Sequence, residues 1–249
     1  MTPHYPDLAG RHAVVTGGAN GIGAAIVAAL HRQSARVTLL DIVAPTSPDT
    51  QLPGVPQPSY IECDLRKSTD IERSIESASA IGGPIDVLVN NAARDDRHTL
   101  EQADAALWDE LSAVNLRAAF LSARAAARTM TTVQGGSIIN ISSNSFLLGL
   151  EGYPIYATAK AGLWGMTKAL ARELGGHGIR VNCLVPGWVM TERQKNRWVT
   201  PEALAACMAA QCLKTEILPL DIANACLFLA SSASRMMSSQ MLVIDGGRA

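Results

Sequence analysis

Tyr156 and Lys160 stand four residues apart in the run YPIYATAKAGLWG (153–165). Side chains at i and i+4 share one helix face, so a phenol and an ammonium can project together there. A free phenol has a pKa of about 10 and is a poor base at neutral pH. A fixed cation beside it stabilises the phenolate, and the pair can then take a proton from an alcohol as its carbon is oxidised. Pro154 suits the first turn of a helix, which puts Tyr153 at or before its start and leaves Tyr156 the better-placed phenol. The competing reading is one more surface Tyr–Lys pair. Ser143 closes an apolar run 13 residues before Tyr156 and is placed to hydrogen-bond the reacting oxygen. Asn115 interrupts another apolar stretch and reads equally well as a structural amide.

A second group of residues stands near the start, in TGGANGIG (16–23). Glycines between a strand and a helix let backbone N–H groups and the positive helix end approach a pyrophosphate. Gly17, Asn20, Gly21, Ile22 and Gly23 are the candidates, although such a turn also occurs with no ligand. Asp41 lies 18 residues after Gly23, near the ~20 expected of a carboxylate on adenosine ribose hydroxyls. That carboxylate repels a 2′-phosphate, and Asn20 supplies no cation to offset it, so NAD is favoured over NADP. A solvated strand-end aspartate is the alternative. The positive ring of an oxidised nicotinamide would add to the pull on the Tyr156 phenolate.

The elements that must hold these groups follow from the apolar pattern. Strands are expected at 12–17, 35–41, 59–63, 85–90, 137–142, 179–185 and 240–245. Most are continuous apolar runs, as burial on both faces requires. Helices are expected at 22–33, 68–81, 104–130, 155–174, 201–213 and 220–231. This alternation implies an α/β fold in which one doubly wound, Rossmann-type, seven-stranded parallel sheet carries helices on both faces. Residues 1–249 are read as a single dinucleotide-binding and catalytic domain. Residues 45–58 hold Pro45, Pro48, Pro53, Pro56 and Pro58, and an irregular surface loop is expected there. The run PGWVMTERQKNRWVT (186–200) follows the sixth strand and opens a lid over about 188–215, at the strand ends where such sheets bind ligands.

Composition excludes several classes. A net charge of −1 over 249 residues leaves no basic excess for a nucleic-acid partner. No run of 18 apolar residues is present to span a membrane. The opening MTPHYPDLAG lacks a signal-peptide pattern, which makes the cytoplasm the expected compartment. Five cysteines with no C-x-x-C and no His cluster read as buried reduced thiols, and no metal site is expected.

TGGANGIG, Asp64 in CDL, NNAA (90–93), VN (114–115), INISS (139–143), YATAK (156–160), RVNCLVPG (180–187) and DGG (245–247) occur in order across the whole chain. Together they resemble the short-chain dehydrogenase/reductase family. The resemblance implies a catalytic set of Asn115, Ser143, Tyr156 and Lys160. Tyr156 would transfer the proton and Lys160 would hold the nicotinamide ribose and lower the tyrosine pKa. Ser143 would position the substrate oxygen, and Asn115 would support a proton-relay water. Cofactor contacts implied in the same way are Gly17, Asn20, Gly21, Ile22, Gly23, Asp41, Asp64, Leu65, Asn91, Tyr156, Lys160, Pro186, Gly187, Val189 and Thr191. A homotetramer with helices 104–130 and 155–174 at an interface is also implied. Two departures stand out: Ala93 replaces the glycine of N-N-A-G, and SSQ (238–240) replaces T-G-Q.

The substrate wall falls to the segments 93–100 and 144–153 and to the lid. They offer Asp95, Asp96, Arg97, His98, Asn144, Glu151, Trp188, Arg193 and Gln194. Solvated loop charges explain such a list, but it also suits a sugar ring, which needs fixed donors and acceptors beside an apolar face. ARDDRHTL (93–100), LGLE (148–151), TAKAGLWGMTKALARELG (158–175), VTPEA (199–203) and AAQCLK (209–214) are similar to the aldose 1-dehydrogenase branch. That branch oxidises the anomeric hydroxyl of D-xylose, L-arabinose or D-galactose to a lactone, and some of its members accept NADP. Asp95, His98, Asn144, Glu151, Trp188 and Arg193 are the expected contacts to a monosaccharide. The rivals are a polyol dehydrogenase or 3-oxoacyl thioester reductase, and a catalytically silent dinucleotide sensor.

Overall fold

The computed structural model describes residues 3–45, 57–133 and 135–249. Its strands are β1 (His12–Thr16), β2 (Arg36–Asp41), β3 (Ser59–Glu62), β4 (Val87–Asn90), β5 (Gly136–Ile141), β6 (Ile179–Pro186) and β7 (Met241–Ile244). All pair in parallel in the order β3-β2-β1-β4-β5-β6-β7. Parallel strands demand crossovers, and the helices supply them: α1 (Gly21–Arg32), α2 (Ser68–Gly82), α3 (Ala105–Ser112), α4 (Ala118–Met130), α5 (Ser145–Leu148), α6 (Pro154–Leu174), α7 (Glu192–Arg197), α8 (Pro201–Ala210) and α9 (Pro219–Ala230).

Adjacent apolar residues on a strand serve opposite faces, which explains the unbroken runs. Val15 and Leu39 pack with Ile26 and Leu227 beneath α1 and α9. Their neighbours Val14 and Leu40 pack with Ile71, Leu88, Met130 and Val181 on the α2, α4 and α6 side. The strand order reverses between β1 and β4. Such a switch point opens a crevice at the strand carboxyl ends.

The expected helix over 104–130 is divided. Between α3 and α4 the residues Ala113–Arg117 form a π-helical turn that contains Asn115. Ser143 stands two residues beyond β5 rather than at its last position. The excursion after β6 carries the short helices α7 and α8 and is closed at its base by a parallel bridge from Val189 to Ile217. Of the proline-rich segment expected as a loop, residues 46–56 lie outside the described residues. No helix among the described residues is long and apolar enough to cross a membrane.

Candidate active site

A cavity of about 1700 Å³ runs across the strand carboxyl ends. Its dinucleotide end is built by the turn from β1 into α1. Gly17 has φ +65°, a left-handed value that L side chains rarely adopt. A Cβ on Gly23 would lie 1.9 Å from the Gly17 carbonyl, so only glycine lets the helix start pack this close. Asn91 Nδ2 donates to the carbonyls of Thr16 (3.0 Å) and Gly17 (2.9 Å) and pins the turn to the end of β4. Asp41 ends β2, and its carboxylate accepts the Ala19 N–H at 3.0 Å and the Val43 N–H at 3.3 Å. Gly17, Asn20, Gly21, Ile22, Asp41, Asp64, Leu65, Asn91, Pro186, Gly187, Val189 and Thr191 all line the cavity. Gly23 sits behind them, packed on Gly17. A narrow backbone cradle at a helix start, with a carboxylate at the ribose position, fits a nicotinamide dinucleotide. Asp64 is held below the usual carboxylate range by its hydrogen bonds from Arg66.

Ser143, Tyr156 and Lys160 line the same cavity. Tyr153 is the N-cap of α6 with Pro154 at its first position, so Tyr156 and Lys160 lie one turn apart along the helix. The Tyr156 ring meets Tyr153 edge to face with centroids 5.4 Å apart. Burial pushes the Tyr156 phenol above its ordinary pKa, and hydrogen bonding to Ser143 acts against that rise. Lys160 is 2% exposed. Its Nζ donates to the Ile141 carbonyl at 2.7 Å and lies 5.5 Å from the Tyr156 ring centroid. Burial brings the ammonium down to about 8, with the charges of Cys183 and Asp95 acting upward. The lowering expected from Lys160 is not among the influences on the phenol in the protein alone, where burial sets the direction.

Asn115 does not reach the cavity surface. Its Oδ1 accepts the Arg94 N–H at 2.8 Å and its Nδ2 donates to the Arg94 carbonyl at 2.9 Å. The π turn thereby clamps the segment after β4.

The substrate end is walled by Asp95, Asn144, Glu151, Trp188 and Arg193. Asp95 accepts from Arg193 at 2.8 Å and from Gln194 Nε2 at 2.7 Å, and Gln194 Oε1 accepts the Trp188 indole N–H at 2.9 Å. This chain of bonds ties the segment after β4 to α7. His98 is not in the wall. Its ring is 6% exposed, with Nδ1 2.9 Å from the Asp96 carbonyl and Nε2 accepting the Ile155 N–H. It braces the start of α6. Tyr153, Trp198 and Cys207, which lie in the expected wall segments without having been singled out, also line the cavity, as does Arg248, which lies outside all of them. Arg97 covers the Tyr153 ring at 3.8 Å and the Trp198 ring at 5.1 Å.

Comparison with known proteins gives concordant results. The family model described as "Enoyl-(Acyl carrier protein) reductase" matches residues 17–249. The "Probable galactose dehydrogenase GalD" of Rhizobium meliloti is 46% identical over 98% of this chain and 96% of its own length. The D-xylose 1-dehydrogenase of Caulobacter vibrioides is 46% identical over 98% and 97%. Among solved structures, one assigned as a short-chain alcohol dehydrogenase from Sinorhizobium meliloti superposes with a TM-score of 0.92 at 30% identity, covering 98% of both chains. One assigned as an NAD(P)-dependent gluconate 5-dehydrogenase from Beutenbergia cavernae, with NADP bound at low occupancy, gives 0.91 at 32% identity and the same coverage.

Proposed function

Because this chain belongs to the short-chain dehydrogenase/reductase family, we propose that it is an NAD-dependent sugar 1-dehydrogenase. It is an NAD(P)-linked oxidoreductase. The substrate is a cyclic aldose such as a pentose or hexose, and the product is its lactone. One arrangement carries the reading: Ser143, Tyr156 and Lys160 share a cavity with the glycine turn and with a polar substrate wall. The 46% identical galactose and D-xylose dehydrogenases support the sugar.

When bound, the dinucleotide supplies the hydride acceptor and, in its oxidised form, a positive ring. Tyr156 takes the proton of the anomeric hydroxyl as the C1 hydride departs. Ser143 hydrogen-bonds the same oxygen, and Lys160 holds the ribose and adds its charge near the phenol. Asn115 acts by fixing Arg94 and with it the segment after β4. Asp41 selects NAD by repelling a 2′-phosphate. Polar bonds throughout the wall suit a polyhydroxylated ring better than an acyl chain.

Residues 188–215 act as a lid, held down by the Asp95 bonds to Arg193 and Gln194. The protein assembles as a homotetramer through α4 and α6, whose groove exposes Phe120 by 47%. Its free cysteines, four of the five buried, suit the cytoplasm.

NAD reduction across aldoses, polyols and 3-oxoacyl thioesters, with the product identified, tests the reading. The highest kcat/KM is expected for D-xylose, L-arabinose or D-galactose, with a lactone released. A higher value for a polyol or a thioester overturns it.

A further inference from the structure

After β7 the backbone turns beside the cavity. The turn is organised by Asp245, whose side chain is 3% exposed. Its Oδ1 accepts the N–H groups of Gly247 (2.9 Å) and Arg248 (3.1 Å). Its Oδ2 accepts the Ala249 N–H at 2.8 Å and Asn144 Nδ2 at 3.1 Å. Asn144 is the neighbour of Ser143, and its own N–H donates to the Pro186 carbonyl at 2.9 Å. On the opposite side the Gly246 and Gly247 carbonyls accept the N–H groups of Leu213 (2.9 Å) and Cys212 (3.3 Å). Gln211, 2% exposed, braces that connection through Nε2 to the carbonyls of Leu213 and Thr215.

This cage delivers Arg248 to the cavity wall. Among the described residues its guanidinium has no carboxylate within ion-pair distance, and its one side-chain hydrogen bond is from Nη1 to the Cys207 sulfur at 3.5 Å. Sulfur is a weak acceptor. The other charges on this wall are differently placed. Asp95 is engaged by Arg193 and Gln194, Arg97 is stacked on Tyr153, and Glu151 is exposed at the rim. Arg248 therefore presents a planar set of N–H donors from a backbone anchored by a buried carboxylate, with no strong acceptor supplied by the protein. Burial raises the Tyr153 phenol and the Arg248 charge acts weakly against that rise, and the Tyr153 ring packs against Tyr156.

We infer that Arg248 recognises substrate, donating to two adjacent oxygens of the sugar that are not oxidised, and that Asp245 positions it. The inference rests on the sugar reading above and deepens it by naming a specificity-determining residue. A guanidinium fork matches two neighbouring oxygen acceptors. A site built to bond a hydroxyl discriminates against the analogue lacking it, because the donor is then left unpaired.

Arg248→Ala, Arg248→Lys, Asp245→Asn and the Arg248→Ala/Asp245→Asn double variant are assayed on the best aldose and its monodeoxy analogues, with dinucleotide affinity measured by fluorescence titration. In Arg248→Ala the KM for the parent sugar should rise about 10-fold or more, with kcat within about 3-fold and dinucleotide Kd unchanged. The wild type should disfavour at least one deoxy analogue by about 10-fold, and that preference should collapse in Arg248→Ala. Lysine should restore part of the affinity. The double variant should bind sugar no worse than Arg248→Ala, as expected when one residue acts through the other. An unchanged KM, or a loss equal for the parent and every deoxy analogue, overturns the inference while leaving the sugar reading standing. A wild type that turns over a polyol or thioester but no aldose overturns the sugar reading and, with it, the claim for ring hydroxyls.

Discussion

Lys160 donates to the Ile141 carbonyl at 2.7 Å, and the Ser142 hydroxyl donates back to the Lys160 carbonyl at the same distance. The two bonds fasten the middle of α6 to the end of β5. The lysine thus reaches the cavity with its ammonium already held by backbone and its stem buried.

Lys160→Met separates this charge from the rest of the protein. With a folded pKa of about 8 against about 10.5 unfolded, the folded protein releases this proton first. Stability of the wild type relative to the variant should therefore rise between pH 8 and pH 10.5, by an amount on the order of 3 kcal/mol. Below pH 8 both states hold the proton and the difference should be flat. Urea unfolding of both proteins from pH 7 to 10 measures it, and a difference that falls with pH contradicts the burial argument.

Tyr156→Phe keeps the edge-to-face packing on Tyr153 and removes only the hydroxyl. We expect kcat to fall by about 10³-fold or more, within the range of general acid–base contributions, with dinucleotide affinity within about 3-fold. Substantial residual turnover would remove Tyr156 from the proposed proton transfer.

Asp41→Asn retains an acceptor for Ala19 N–H and deletes the charge. The ratio of kcat/KM for NADP to that for NAD should rise about 10-fold or more, roughly 1.4 kcal/mol of relieved repulsion. Steady-state kinetics with both coenzymes decide it. Equal use of both by the wild type would contradict the electrostatic account.

Ser239 has φ +60°, and its N–H donates to the Val181 carbonyl at 2.8 Å, so the backbone is held in a left-handed turn. That conformation costs an L-residue roughly 1–2 kcal/mol, and glycine adds back about 0.4–1 kcal/mol of unfolded-chain entropy. Ser239→Gly should stabilise by about 0.5–1 kcal/mol net, and Ser239→Ala should not. Chemical denaturation of the three proteins compares them.

Asp245→Asn tests the cage beside Ser143. Burial alone would raise this carboxyl, but hydrogen bonds from Asn144 and the N–H groups of Arg248, Ala249 and Gly247 hold it below the ordinary value. The stabilisation is present above the unfolded pKa of about 3.9 and is lost as pH falls through the lower folded value. The variant should lose about 1–3 kcal/mol at pH 7, with the gap narrowing as pH falls below the unfolded value. Unfolding measured at pH 7, 5 and 3 follows it.

Apolar runs and glycines carried most of the fold in the sequence. Val14 and Val15 serve opposite faces of one buried strand, which is why mostly uninterrupted runs read as a parallel sheet. The π turn at Asn115 left no trace, because its residues have ordinary helical propensities and the extra residue per turn is set by the clamp on Arg94. α5 and α7 were missed since each is shorter than two turns and carries no periodic apolar face. His98 read as a substrate contact from its polar neighbours, yet its ring is turned inward by the Asp96 carbonyl. Arg248 gave no signal, since its arrival at the cavity depends on a bond between residues 101 positions apart, Asn144 and Asp245.

The division of labour between sheet and loops also bears on how this enzyme can change. Tyr156 and Lys160 ride on a helix fastened to β5, whereas the rest of the cavity wall comes from 94–97, 144–153, 188–207 and the turn after β7. Drift in those four segments can alter substrate preference without disturbing the anchoring of Tyr156 and Lys160. A library confined to them, with Asn144 and Asp245 kept, should yield new substrate preferences at nearly constant fold stability.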